Sequence, residues 1–129
     1  MDKLNNIYYV FWMCIVLHLV SDYYLQGILG SMKQIDWWNV PDNPTPSKYW
    51  KDWIAALICH SAEWSILTFL PLMFTLNGLT WSFFIIVNLI IHAIVDDLKA
   101  NRQKLNLNQD QAVHLLQIII SLAVWYWIK

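Results

Sequence analysis

A chain of 129 residues has room for one domain, and this one is 58% hydrophobic and only 13% charged, about half the charged share of an ordinary water-soluble domain. So short a chain cannot enclose that much apolar surface in a water-facing core. Its charges are bunched between long uncharged runs, as in membrane proteins, and a net charge of −1 offers no basic field for nucleic acid.

In chain order, residues 7–28, 53–74, 81–98 and 108–128 each suit a helix of roughly 20 residues, the length that crosses the hydrocarbon of a bilayer. The predicted fold is therefore all-α: a single integral membrane domain over residues 1–129, a four-transmembrane-helix bundle. The first run is followed by Ser21-Asp22-Tyr23-Tyr24-Leu25-Gln26. No small-residue cleavage site is present there, so the run reads as a span and not as a leader.

The loop between helices 1 and 2 mixes Trp37, Trp38, Tyr49 and Trp50 with Lys33, Asp36, Asp42, Lys48 and Lys51, and Pro41, Pro44 and Pro46 prevent a long helix. It reads as a Trp/Pro-rich interfacial anchor in the headgroup layer, with a lid over a site as the alternative. Trp53, Trp81, Trp125, Tyr126 and Trp127 complete the aromatic belts. Pro71 falls near the end of the second span, Asn77-Gly78 marks the turn into the third, and Asn108 is the expected N-cap of the fourth, with Asp110 in its first turn. Cys14 and Cys59 lie in apolar stretches without metal-ribbon spacing and read as small buried hydrophobes.

Lys33, Lys48, Lys51, Lys99, Arg102 and Lys104 fall in the first and third loops, against only Lys3 and Lys129 elsewhere. This bias places loops 29–52 and 99–107 in the cytoplasm and both termini outside, in an inner, multi-pass location.

Each predicted span carries one histidine with a carboxylate one turn away: His18 with Asp22, His60 with Glu63, His92 with Asp96, and His114 with Asp110. Residues three or four apart share a helical face. The histidines lie about 15, 10, 9 and 9 Å from the cytoplasmic ends of their helices at 1.5 Å per residue. Because the helices alternate in direction, the pairs can meet in one layer. Such residues turn inward and pair, since facing lipid costs several kcal/mol each.

Neutral imidazole and carboxylate suit a divalent metal, zinc first and manganese or iron as alternatives. His18, His60, His92 and His114 with Asp22, Asp96 and Asp110 form the expected ligand set, for one ion or for two close together. Asp residues at a four-residue offset differ from the Glu and Glu-x-x-His pattern of di-iron bundles. Glu63 and Asp22 are the carboxylates available as general base. Asp97, 100° round the helix from Asp96, is expected at a solvated helix end with Arg102.

His18-Leu19-Val20-Ser21-Asp22-Tyr23-Tyr24-Leu25-Gln26, Lys33, His60, His92-Ala93-Ile94-Val95-Asp96 with Lys99, and Asp110-Gln111 followed by His114 resemble the bacterial and phage membrane family catalogued as domain of unknown function 3307. The resemblance covers nearly the whole chain and adds Gln26, Lys33, Lys99 and Gln111 to the polar set. One departure is Trp64, where the family pattern often has a second histidine.

The leading functional expectation is a metal-dependent hydrolase acting on a lipid or lipid-linked substrate at the cytoplasmic leaflet, with Lys33 or Lys99 on an anionic headgroup and Gln26 and Gln111 beside them. A proton or ion transporter would require a homo-oligomer, because four short spans leave little room for alternating access. A non-catalytic, phage-type protein that binds a host membrane partner is the third reading.

Overall fold

The first helix starts where a side chain can replace the missing backbone partner: Asn6 accepts the Tyr8 amide at 3.0 Å. In the computed structural model, which describes residues 6–39 and 51–129, the described residues form helices and no strand. Helix α1 (Ile7–Leu19) widens into a π-helical turn over Val20–Leu25, where the Gln26 amide reaches back five residues to the Ser21 carbonyl at 3.1 Å. Gly27 then turns the chain at φ +45°, a left-handed conformation that only glycine adopts without a Cβ clash. The helix therefore ends short of the predicted residue 28.

Two single-turn helices follow, α2 (Leu29–Met32) and α3 (Ile35–Trp38). They are tied to the end of a later helix by Asn101, which accepts the Ile35 amide at 2.8 Å and donates to the Lys33 carbonyl at 3.2 Å. The remainder of the predicted interfacial loop, with Pro41, Asp42, Pro44, Pro46, Lys48, Tyr49 and Trp50, lies outside the described residues.

Helix α4 (Asp52–Thr68) is 17 residues long and does not run to residue 74. Pro71 lacks an amide proton and disfavours α geometry in Leu70, so the chain leaves the α-helix at Phe69 and tightens into a 3-10 turn over Leu70–Phe74. Helix α5 (Gly78–Ala100) is longer than its predicted 81–98, because Asn77 already caps it through the Thr80 amide at 2.9 Å. Helix α6 (Leu107–Ile128) is capped by Asn106, not Asn108. Asn106 and Gln109 exchange side-chain and backbone hydrogen bonds at 2.9 and 3.0 Å, whereas Gln111, three residues after Asn108, bonds to His18, Asp22 and Asp110 instead.

Among the described residues three helices are long and apolar enough to cross a membrane: Ile7–Leu25, Gly78–Ala100 and Leu107–Ile128. Four were expected; α4, with 17 residues and with Asp52, His60 and Glu63 among them, is not one of the three.

Helices α4 and α6 each pack against both α1 and α5, giving a four-membered ring. Its outside is apolar: Trp12 and Val16 on α1, Ile58 on α4, Ile90 and Ile94 on α5 and Ile120 on α6 are all exposed. Its inside has two halves. One is an apolar core that includes Val10, Cys14, Phe69, Leu72, Ile118 and Trp125; the other is polar. Trp125, expected in an interfacial belt, turns inward and donates to Thr75 Oγ1 at 2.8 Å. The cysteines are unpaired, and only Cys14 is buried; Cys59 lies on the outer face.

Candidate metal centre

The polar half is assembled from all four long helices. His18, Asp22, His60, His92, Asp96, Asp110 and His114 are each no more than 6% exposed. Contacts across all four helices join them in one layer, as their depths predict. The predicted partnering within each helix is only part of the geometry. His92 Nε2 lies 3.7 Å from Asp96 and His114 Nε2 3.4 Å from Asp110 on their own helices. Closer approaches run between helices: Asp96 Oδ2 is 3.3 Å from His60 Nε2, and Asp96 Oδ1 is 3.3 Å from His114 Nε2. Asp22 Oδ1 is 3.6 Å from His60 Nε2, and the Nε2 atoms of His60 and His92 are 3.4 Å apart. Asp96 is thus the hub of the cluster.

Three sets of these side chains, Asp22/His60/His92, His92/Asp96/His114 and Asp22/Asp110/His114, bring one donor atom each to within 4.8 Å of one another. A tetrahedral ion with bonds of about 2.0–2.1 Å separates its ligand atoms by about 3.3–3.4 Å, which is the spacing between several of these donors. His114 Nε2 and Asp110 Oδ1 are buried and lack any hydrogen-bond partner, although carboxylate oxygens lie 3.3 and 3.4 Å from that nitrogen. Groups held this close without hydrogen-bond geometry are arranged as ligands are around a cation. The buried His/Asp groups can hold a divalent ion, and the donor chemistry fits.

His18 stands apart from this convergence. Its Nδ1 accepts from the Trp64 indole at 2.8 Å, which leaves the proton on Nε2 to donate to Gln111 Oε1 at 3.2 Å. Gln111 in turn donates to Asp22 Oδ2 at 2.9 Å and Asp110 Oδ2 at 3.1 Å. His18 and Asp22, predicted as a direct pair, are joined through this amide. Glu63 approaches His60 from the other side of the ring, with Oε2 3.8 Å from Nδ1, while its Oε1 accepts from Ser21 at 3.0 Å. With its side chain 29% exposed, it sits behind the ligand ring of His60.

Two lysines cap the layer. Lys33 Nζ is 2.5 Å from Asp96 Oδ2 and 3.3 Å from Gln26 Oε1; Lys99 Nζ is 2.6 Å from Asp110 Oδ2. Gln26 also donates to the Asp22 carbonyl. Above them opens a cleft of about 650 Å³ lined by Tyr23, Gln26, Lys33, Asp96, Lys99 and Gln103 among others. Gln26, Lys33, Lys99 and Gln111 are therefore all part of the same polar assembly. Asp97 is elsewhere, as its angle predicted: it pairs with Arg102 at 2.7 Å and accepts from Asn101 at 2.9 Å.

Two features escaped sequence reasoning. Trp64 stacks on His92 with ring centroids 4.0 Å apart and planes at 16°, and His114 stacks against His92 at 4.2 Å and 27°. A second polar layer lies deeper, where Gln117 donates to Asn88 at 3.0 Å and Ser121 to the same oxygen at 2.8 Å. Its signal was available: Asn88 precedes His92 by one turn and Gln117 follows His114 by one turn.

No protein-family model, curated protein or solved structure matches the chain.

Proposed function

We propose that the chain is a four-pass membrane protein with a divalent-metal centre that hydrolyses a lipid or lipid-linked phosphate substrate at the cytoplasmic leaflet. The observation that carries this reading is the convergence of His60, His92 and His114 Nε2 on Asp96 below a polar cleft holding two ammonium groups, inside a bundle whose outer surface is apolar.

The fourth crossing is α4. Its 17 residues span about 25 Å, and the five-residue 3-10 turn adds about 10 Å, enough together for a hydrocarbon layer of about 30 Å. Ile54, Ile58 and Ile66 give it an exposed apolar face. The lysine and arginine bias puts the cleft on the cytoplasmic side. The motif resemblance to domain of unknown function 3307 accords with this placement and supplies no activity.

A bound zinc, manganese or iron ion supplies Lewis acidity and water activation near neutral pH. The chain's own residues do the rest. Asp22, held by Gln111 and facing the same space as His60 Nε2, accepts a proton from the attacking water. Glu63 and His18 are positioning residues: one faces His60 Nδ1, the other holds Gln111. Lys33 and Lys99 each neutralise a carboxylate. With a dication held between those carboxylates, an ammonium 4 Å away would be repelled by about 8 kcal/mol at an effective dielectric of 20, which would turn the lysines toward a phosphate in the cleft.

The test is metal content of the purified protein together with phosphate release from phospholipid and lipid-phosphate substrates in mixed micelles. Stoichiometric divalent metal, with turnover abolished by chelation and by His92→Ala, is expected. Protein without stoichiometric metal, whose activity survives His60→Ala and His92→Ala, would overturn the reading.

The second polar layer favours one other use. Gln117 Oε1 is buried without a partner beside Asn88 and Ser121, so a polar file continues from His114 toward the opposite face, as proton or ion passage needs. Proton flux into proteoliposomes that Gln117→Leu abolishes would support this second reading; sealed vesicles would contradict it.

A further inference from the structure

We propose that the centre takes two divalent ions, with the Asp96 carboxylate bridging them; this rests on the metal-centre reading above and goes beyond it in number, arrangement and ligand. The two oxygens of Asp96 face different histidines. Oδ2 addresses His60 and His92 at 3.3 and 3.7 Å, and Oδ1 addresses His114 at 3.3 Å. A carboxylate used this way joins two ions, each on one oxygen.

Ring geometry excludes a single ion shared by His92 and His114. An imidazole lone pair lies in the ring plane, so an ion bound by two imidazoles lies where their planes meet. These two rings are stacked 4.2 Å apart with planes only 27° from parallel. Such planes meet well beyond the reach of a metal–nitrogen bond of about 2.0–2.1 Å. Stacked in this way the two rings bring donor nitrogens to within 4.8 Å of each other, room for ions at the roughly 3.5–4 Å separation of two-metal sites.

Donors are sufficient for both positions. The first has His60, His92 and Asp96 Oδ2, and the second has His114, Asp110 Oδ1 and Asp96 Oδ1, which leaves Asp22 Oδ1 free as the base. A single ion at the first position would leave His114 Nε2 and Asp110 Oδ1 as they are now, buried and facing each other at 3.4 Å without hydrogen-bond geometry. An ion at the second position would engage both.

Charge then indicates the ligand class. Two dications outweigh the three aspartates by one charge, and Lys33 and Lys99 add two more at the mouth of the cleft. An anion with several oxygens, a phosphoryl group, fits this field and can reach both ions.

The test uses the full chain purified in detergent, stripped by chelator and reloaded with manganese alone. Metal per chain is counted by mass spectrometry, and spin coupling is read by electron paramagnetic resonance. Two ions per chain with an exchange-coupled spectrum are expected. His114→Ala should retain one ion with an uncoupled spectrum, and the milder Asp110→Asn should weaken the second ion at least tenfold while the chain stays monodisperse. One ion per chain in the unmodified protein would overturn this inference and leave the metal-centre reading standing. No bound ion would overturn both. Unchanged stoichiometry in both variants would also overturn the two-site assignment.

Discussion

At the scale of single residues, Asp96 bears the most. It meets three histidines and Lys33 while only 2% exposed. Asp96→Asn leaves the Lys33 ammonium beside a neutral amide in a buried site, and losing one partner of such a pair costs about 3–5 kcal/mol. The metal-free protein should lose about that much in chemical denaturation in detergent, and Lys33→Met in the same background should restore part of it. If Asp96→Asn alone is as stable as the parent, the ion pair does not exist as described. Trp64 makes a second case. Trp64→Phe keeps a ring against His92 but deletes the bond to His18, so it should cost about 1 kcal/mol, whereas Trp64→Ala should cost about 3–5 kcal/mol; equal losses would show that stacking contributes nothing. Sequence spacing found the residues of the layer because helix periodicity fixes which side chains share a face. It did not find that Asp96 serves other helices more closely than its own, or that Trp64 takes up His18 Nδ1. Those facts depend on how helices rotate against one another, which no single helix encodes.

Elements were legible where a local side chain governs them. Asn77 caps α5 as a short polar residue before an apolar run should. Asn106 was missed in favour of Asn108, because two asparagines compete and the choice depends on Gln109 closing the capping box. The break of α4 before Pro71 and the π turn over Val20–Leu25 were read through as continuous helix. Pro71 acts on residues before it, and a π turn changes no composition. Gly27 ends that turn at φ +45° and sets the short helices that deliver Lys33. Gly27→Val should therefore destabilise by about 1–2 kcal/mol and loosen the Lys33 segment. Faster hydrogen exchange at residues 28–34 would show it, and unchanged exchange with unchanged stability would contradict the strained turn.

Over the described residues, the distribution of polarity is inverted: the four histidines with Asp22, Asp96 and Asp110 lie inside, and apolar side chains such as Trp12, Ile90 and Ile120 face outward. Composition alone made this legible, since 13% charged residues cannot clothe a water-soluble surface of this size. Sidedness rests on the lysine and arginine bias and has its own test. In a cysteine-free background, Leu79→Cys at the 85% exposed start of α5 should react with a membrane-impermeant maleimide from outside intact cells. Lys104→Cys, between α5 and α6, should react only after the membrane is opened. The reverse pattern would invert the topology and move the cleft to the other leaflet. The inverted architecture sets three buried aspartates against two lysines, an imbalance that a bound cation would offset.

The central claim is that imidazoles of α4, α5 and α6 bind metal within the polar layer, and X-ray absorption at the metal edge of the purified protein tests it most directly. The account predicts nitrogen and oxygen scatterers at about 2.0–2.1 Å, with the outer-shell signature of imidazole that shrinks in His60→Ala and His114→Ala. Stoichiometric metal whose spectrum shows no imidazole, or protein with no metal at the edge, would contradict it.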